Sequence, residues 1–177
     1  MTRKILKNGV IVFSDFPEFR PNLSPKEVFQ LGSFGGTYYR PIKSNITKKK
    51  YNNQHLEFPK SWFIGLDIKT QVTSSICRTS LNKYKVSSGQ SLRAWEESGW
   101  ITPQDPYGWF QWYCRFYKGR RSSDDKRQIK RWLGVCGPNG RWKNRLINMI
   151  KDKNTTKGDY SVSPVIRQLL QQWAYVL

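Results

Sequence analysis

Few side chains of this 177-residue chain could serve acid–base or metal chemistry. Its one histidine, His55, lies in the most polar stretch of the sequence, and we interpret it as a surface residue rather than as part of a triad or a metal site. The acidic pairs Glu96-Glu97 and Asp124-Asp125 are neighbours in sequence, and neighbours on a helix point to different faces. Neither pair alone would chelate a metal, so we predict no metal and no cofactor.

One metal-independent reaction stays open. Glycosylases that excise a base can work with an aromatic pocket and one carboxylate, and Asp105 stands beside Tyr107 and Trp109. The alternative, which we favour, is that Asp105 caps the following helix, with Pro106 in its first turn. Cys114 is a poor nucleophile candidate, because its place among aromatic residues predicts burial. Whether the chain is an enzyme stays open, and a non-enzymatic role is favoured.

Basic residues dominate the charge, with 31 Lys and Arg against 12 Asp and Glu and a net charge of +19. More than half of this excess lies between Asp105 and Lys157. A solvated protein face would explain this excess of positive charge. Repulsion among so many like charges, however, favours a polyanionic partner. We predict a nucleic acid, with DNA slightly favoured over RNA. The predicted phosphate-binding residues are Arg120, Arg121, Arg127, Lys130, Arg131, Arg141, Lys143 and Arg145.

A second candidate region is the glycine-rich segment GSFGG at residues 32–36. It lacks the lysine and hydroxyl ending of a P-loop, so we interpret it as a tight turn, with an anion-binding nest as the alternative. The predicted strand that follows contains Tyr38, Tyr39 and Arg40. These three residues could stack on a base or bind a phosphate.

Three short helices must position the basic residues. In the first, which we expect to end at Gly119, aromatic residues recur at helical spacing, and Gln111, Arg115 and Lys118 fall on the opposite side. The aromatic stripe consists of Trp109, Trp112, Tyr113, Phe116 and Tyr117.

The second helix is predicted to begin at the cap Ser123 and to end at Gly134. It would bury Ile129, Trp132 and Leu133, and the third helix would bury Trp142, Leu146, Met149 and Ile150. Because a short glycine-containing loop separates these two helices, they would form a helix-turn-helix-like pair with converging basic faces.

The N-terminal part predicts strands and short capped helices. Asn8-Gly9 favours a hairpin over residues 5–13 with a two-residue type I′ turn. Ser24 and Glu27 form a capping box. We therefore expect one α+β domain, residues 1–177. In it a helical C-terminal half, residues 86–177, packs on a small β-containing part, residues 1–85.

The central segment, together with GSFGGTYYRPI and SPVIRQLLQQW, resembles a family of uncharacterised eukaryotic proteins. Their shared signature runs close to DPYGWFQWYCRFY-x-GRR, followed by a basic RQI-x-RW element and GRW. The resemblance covers most of the chain, and the long aromatic motif is specific. It implies no function, so the functional predictions rest on the residues themselves.

Cysteine usage and hydropathy predict the compartment. Cys77, Cys114 and Cys136 are an odd number without a CxxC pair, which is typical of a reducing, intracellular setting that includes the nucleus. No signal peptide and no apolar run of about 18 residues is visible, so we expect no membrane partner. The competing functions are a glycosylase-like enzyme acting on nucleic acid and a basic architectural subunit of a ribonucleoprotein.

Overall fold

The computed structural model of the chain describes residues 2–177. Two small antiparallel hairpins supply its strands. Strand β1 (Arg3–Ile5) pairs with β2 (Ile11–Phe13), and β3 (Ile42–Lys43) pairs with β4 (Lys50–Tyr51). Short 3₁₀ turns cover Gln54–Glu57, Lys60–Phe63 and Thr79–Leu81.

The first hairpin is confirmed, but its predicted two-residue turn is wrong. Ile5 pairs with Ile11, which leaves three loop residues between Leu6 and Val10. The amide of Gly9 donates to the carbonyl of Leu6, and Gly9 takes φ of +83°. This is a turn followed by a left-handed glycine, the usual three-residue hairpin loop.

Three short helices precede the central helix of the chain, two in the N-terminal part and one where that part joins the C-terminal half. The predicted capping box at Ser24 begins α1 (Pro25–Gln30). The side chain of Asp67 caps the single turn α2 (Ile68–Gln71). The side chain of Ser91 caps α3 (Leu92–Glu97) by accepting from the amide of Ala94.

The C-terminal half is helical, which confirms the α+β class. It contains α4 (Trp109–Tyr117), α5 (Asp125–Cys136), α6 (Arg141–Asp152) and α7 (Pro164–Gln172). Helix α5 packs on α6, α6 packs on α7, and α1 packs on α4.

Helix α4 lies at the centre of the molecule and is buried on almost every side. Its buried residues are Trp109, Phe110, Gln111, Trp112, Tyr113, Cys114 and Phe116. The predicted outward position of Gln111 is wrong, since its side chain is fully buried and accepts from the amide of Tyr107 at 3.0 Å. A polar side chain stays inside because it bonds a backbone donor that would otherwise be unpaired.

The predicted start of α4 is also wrong. Asp105 is not the cap; Gly108, with φ of +96°, precedes the first helical residue. The chain therefore makes an extra turn between Asp105 and Gly108, closed by a hydrogen bond from the Gly108 amide to the Asp105 carbonyl.

Helix α5 begins and ends later than predicted. Ser122, not Ser123, meets the first turn, where its amide and hydroxyl both donate to the carboxylate of Asp125. The helix passes through Gly134 and ends at Cys136, so Gly134 is not its terminus. Residues 137–140 then form the connection to α6.

One aromatic core joins the two halves. Phe19, from the irregular segment after β2, packs against Phe13, Trp112 and Trp132 with ring centroids 5.2 to 5.6 Å apart. It also contacts Trp109, at 6.4 Å. The predicted burial of the three tryptophans is thereby confirmed, and the N-terminal part anchors itself on α4 and α5.

Candidate functional site

Asp105, the carboxylate considered for catalysis, is enclosed by two arginines. One oxygen accepts from Arg115 at 2.9 Å and from Arg120 at 2.7 Å, and the other accepts from Arg120 at 2.6 Å. Its side chain has no exposed surface, so it offers no face to a substrate. Burial opposes the charge of Arg115, but hydrogen bonds to Glu57 and the charges of Glu57 and Asp105 raise the pKa of Arg115.

Arg120 and Arg121, predicted to bind phosphate, bind carboxylates of their own chain. Arg121 donates to Asp15 at 2.7 Å, and its guanidinium lies 3.6 Å from the ring centroid of Phe116. The hydrogen bond from Arg121 lowers the pKa of Asp15. Both arginines therefore hold the corner between α4 and α5, where carboxylates of the same chain neutralise their charge.

Tyr38 and Tyr39 belong to the core, so neither ring can stack on a base. The Tyr38 hydroxyl donates to the Tyr107 carbonyl at 3.0 Å and accepts from the Gln111 amide at 2.7 Å. Tyr39 is fully buried. Burial raises the pKa of both hydroxyls well above the ordinary value. The two tyrosines precede β3 in a turn, and the predicted strand begins only at Ile42.

Arg127 and Arg131 lie on α5 beside the exposed Trp100. Arg127 is held by Asp124 through bonds of 2.5 and 2.9 Å. The guanidinium of Arg131 lies 5.4 Å from the ring of Trp100 and 5.3 Å from that of Trp173. Burial and the nearby charge of Arg127 lower the pKa of Arg131 to about 10, which leaves it charged at neutral pH.

The remaining predicted residues lack a carboxylate partner. Lys130, Arg141 and Arg145 are exposed, Lys143 is half-buried, and none of them joins an ion pair within residues 2–177. Lys126 is exposed and unpaired in the same way, although it was not among the predicted site residues. We call these five side chains the α5–α6 basic surface: Lys126, Lys130, Arg141, Lys143 and Arg145.

The α5–α6 connection is short because two glycines permit close backbone approach. A Cβ on Gly137 would lie 2.6 Å from the Leu133 carbonyl oxygen, and one on Gly140 would lie 2.6 Å from that of Val135. Helix α6 then begins without a side-chain cap and without an acidic residue in its first turn. Cations are unfavourable at this positive helix end, so the basic residues there do not serve helix stability.

Aromatic contacts arrange the α6 side chains. The guanidiniums of Arg141 and Arg145 lie 5.1 and 5.7 Å from the ring of Trp142, which is half-buried rather than fully buried. Lys143 lies 5.5 Å from the ring of Tyr175. The sequence predicted the outward direction of the two arginines but not these ring contacts.

The glycine-rich segment has a packing role. A Cβ on Gly32 or Gly36 would collide with the carbonyl oxygen of Leu81 or Thr70, and one on Gly35 would lie 2.5 Å from the sulfur of Cys77. Residues 70–81 therefore cover the loop closely. The interpretation as a tight structural turn is confirmed.

A polar cleft of about 370 Å³ opens beside this turn. Its walls are the turn itself, residues 86–92, and the end of α7. Arg40 is its one charged lining residue, and it donates to the Thr37 carbonyl at 3.1 Å. The sequence named Arg40 but not the cleft, because the opposite wall, Ser87 to Ser91, reads only as a polar loop.

Residues 2–177 contain neither a cluster of metal-ligating side chains nor a membrane-spanning helix. No three His, Cys, Asp or Glu side chains there are grouped closely enough to hold a metal ion. No helix there combines the length and apolar character needed to cross a membrane. Comparisons with family models, curated proteins and solved structures found no match.

Proposed function

We propose that the chain binds nucleic acid and that the α5–α6 basic surface contacts the phosphates. The observation that carries the proposal is a separation of charges. Three of the four acidic residues between Asp105 and Lys157, namely Asp105, Asp124 and Asp125, are buried and bonded to other groups. The fourth, Asp152, is exposed at the far end of α6 from Arg141. The basic surface is thus left without internal partners, and a polyanion would neutralise it.

The helix pair favours DNA over RNA. Two twelve-residue helices are joined by four residues, and an exposed helix fits the major groove of B-DNA. Arg141, Arg145 and Asn148 are exposed at helical spacing along α6. Arginine pairs with guanine and asparagine with adenine on their major-groove edges, so we propose that α6 enters the groove.

Base excision is not part of the proposal. The glycosylase alternative depends on an accessible carboxylate, and Asp105 is enclosed by Arg115 and Arg120. The ribonucleoprotein alternative is distinguished by affinity, since it requires RNA to bind more tightly than duplex DNA.

The test is a titration with duplex DNA, single-stranded DNA and RNA at one salt concentration. The variant combines Lys130→Glu, Arg141→Glu and Arg145→Glu. If each contact contributes about 1 kcal/mol, the affinity for duplex DNA should fall about a hundredfold. Circular dichroism should show an unchanged fold, because all three side chains are exposed.

A second triple variant controls for overall charge. Lys48→Glu, Lys49→Glu and Lys50→Glu change the net charge equally, and these side chains are also exposed. This control should keep most of the affinity. Equal losses in the two variants would mean that only net charge matters, and full binding by the α5–α6 variant would place the interface elsewhere.

A further inference from the structure

The cleft beside the glycine-rich turn has the lining of a ligand site. Its volume of about 370 Å³ is in the range of small-molecule pockets, which begin at about 300 Å³. Neutral polar side chains make up much of the wall, including Asn82, Ser87, Gln90 and Gln172. No aspartate or glutamate lines it, so the field inside is set by Arg40.

Arg40 is positioned to accept an anion. Its carbonyl accepts from the hydroxyl of Tyr107 at 2.7 Å, which fixes the backbone at the cleft wall. One guanidinium nitrogen donates to Thr37. No ion pair of residues 2–177 includes Arg40, and guanidinium groups bind phosphate oxygens through paired hydrogen bonds.

Two partly exposed aromatic side chains, Phe34 and Trp95, line the same cleft. Phe34 is held by Tyr38 and Phe110, with ring centroids 4.5 and 5.0 Å away. A rigid aromatic wall suits a planar ring, since base–aromatic stacking is favourable for every base.

The cleft adjoins the basic helix α5 through two short links. The amide of Trp100 donates to the carbonyl of the cleft residue Trp95 at 3.0 Å. Gln172 lines the cleft, and its neighbour Trp173, like Trp100, contacts Arg131. These links place Arg131 of α5 next to residues that adjoin the cleft wall.

We propose that the cleft binds one unpaired nucleotide, with its phosphate on Arg40 and its base against Phe34 and Trp95. The link to a polymer rests on the proposed function, whereas binding of a free mononucleotide does not. The protein would then prefer nucleic acid that carries a flipped or unpaired base, because duplex DNA alone leaves the cleft unused.

The experiment titrates the full chain calorimetrically with each of the four ribonucleoside 5′-monophosphates, with adenosine, and with inorganic phosphate. At least one monophosphate should bind more tightly than adenosine or phosphate. Arg40→Gln should weaken it about tenfold or more, which is the loss of one charge-assisted hydrogen bond. Arg40→Lys, which keeps the charge, should lose less.

Two further measurements keep the outcomes distinct. In the wild-type protein, amide NMR shifts caused by the monophosphate should fall on residues 33–40 and 86–92. The triple variant Lys130→Glu, Arg141→Glu, Arg145→Glu should bind the monophosphate normally even though it loses duplex DNA.

The inference is overturned if no monophosphate binds at millimolar concentration, if phosphate alone binds equally well, or if the shifts fall on α6. Binding of monophosphate without binding of any polymer would instead overturn the proposed function and leave the nucleotide site standing.

Discussion

Asp105 shows how a single carboxylate can hold distant segments together. Arg115 and Arg120 occupy both of its oxygens, and Arg115 also reaches Glu57 in the N-terminal part, at 2.7 Å. These ion pairs thus fix Asp105, which precedes α4, against Arg115 within the helix and Arg120 after it. The contribution of these ion pairs to stability depends on every charge having a partner, because a charge left buried without one is strongly destabilising.

We expect Asp105→Asn to lower the free energy of unfolding by about 3 kcal/mol, since both arginines lose their shared counter-charge. Urea unfolding followed by circular dichroism measures the change. Glu97→Gln is the matched control, because its partner Arg93 and the pair as a whole are exposed, and exposed pairs contribute little. Equal stability of the two variants would contradict a structural role for Asp105.

We expect His55 to make the stability of the protein depend on pH. It is buried rather than at the surface as predicted, and its ring packs edge-on against Phe63, with centroids 5.9 Å apart. Burial lowers its pKa below the ordinary value of 6.5. The unfolded chain then binds the proton first, so stability is present above that value and is lost as pH falls through the folded-state pKa.

The prediction is that wild-type stability declines as pH falls from 7 to 5, and that His55→Gln flattens the decline. Because the chain has one histidine, the difference between the two profiles isolates this group. Chemical denaturation at several pH values provides the measurement, and identical slopes for both proteins would show that His55 does not contribute.

Local patterns identified some of these residues and missed others for a physical reason. Ser24 caps its helix as predicted, because capping involves only residues three positions apart. Asp105 has the same local signal, yet Arg115 and Arg120 take its oxygens. Those partners lie ten and fifteen positions away, and only the folded chain brings them near.

At the scale of elements, the existence of the helices followed from periodicity, whereas their ends did not. The burial of Trp109, Trp112 and Trp132 was predictable from helical spacing. Helix α4 is enclosed on nearly all sides, so the inside-outside rule placed Gln111 wrongly. The polar cleft was not predictable, since it forms where segments that are far apart in the sequence, such as residues 33–40, 86–92 and 172, come together.

The glycine-rich turn allows an element-scale test of close packing. Gly36→Ala adds a Cβ at φ of +88° that would collide with the Thr70 carbonyl oxygen. Gly65→Ala has a similar φ of +80° but open space around the Cβ. Left-handed backbone strain is common to both variants and is about 1 kcal/mol.

We therefore expect Gly36→Ala to destabilise clearly more than Gly65→Ala in thermal or urea unfolding, and the difference measures the steric contact with residues 70–81. If the two substitutions have equal effects, residues 70–81 can move away from the turn at little cost in stability. The glycines would then be explained by backbone conformation alone.

On the scale of the whole molecule, the charge is distributed between two roles. Arg115, Arg120, Arg121 and Arg127 are bound by acidic residues and stabilise the fold. The sequence assigned three of these four to the binding surface, because composition shows the charge excess but not which cations are already paired. The five residues of the α5–α6 basic surface have no carboxylate partner within residues 2–177, which composition alone does not show.

The final prediction concerns how salt acts on that surface. Each phosphate neutralised on B-DNA contributes a slope of about −0.9 to the logarithm of affinity against the logarithm of salt concentration. With about six phosphate contacts, raising salt from about 50 to 200 mM should reduce affinity about a thousandfold. The variant that reverses Lys130, Arg141 and Arg145 should have a slope shallower by about 2 to 3, because three positive charges that displace DNA counterions, whether on a phosphate or in the groove, are lost. The variant reversed at Lys48, Lys49 and Lys50 should keep the wild-type slope, since the proposed interface does not include these lysines. Fluorescence anisotropy of a labelled duplex at four or more salt concentrations gives all three slopes. A flat response in the wild type would exclude a phosphate-based interface, and a shallower slope only in the Lys48, Lys49 and Lys50 variant would move the interface to the N-terminal part.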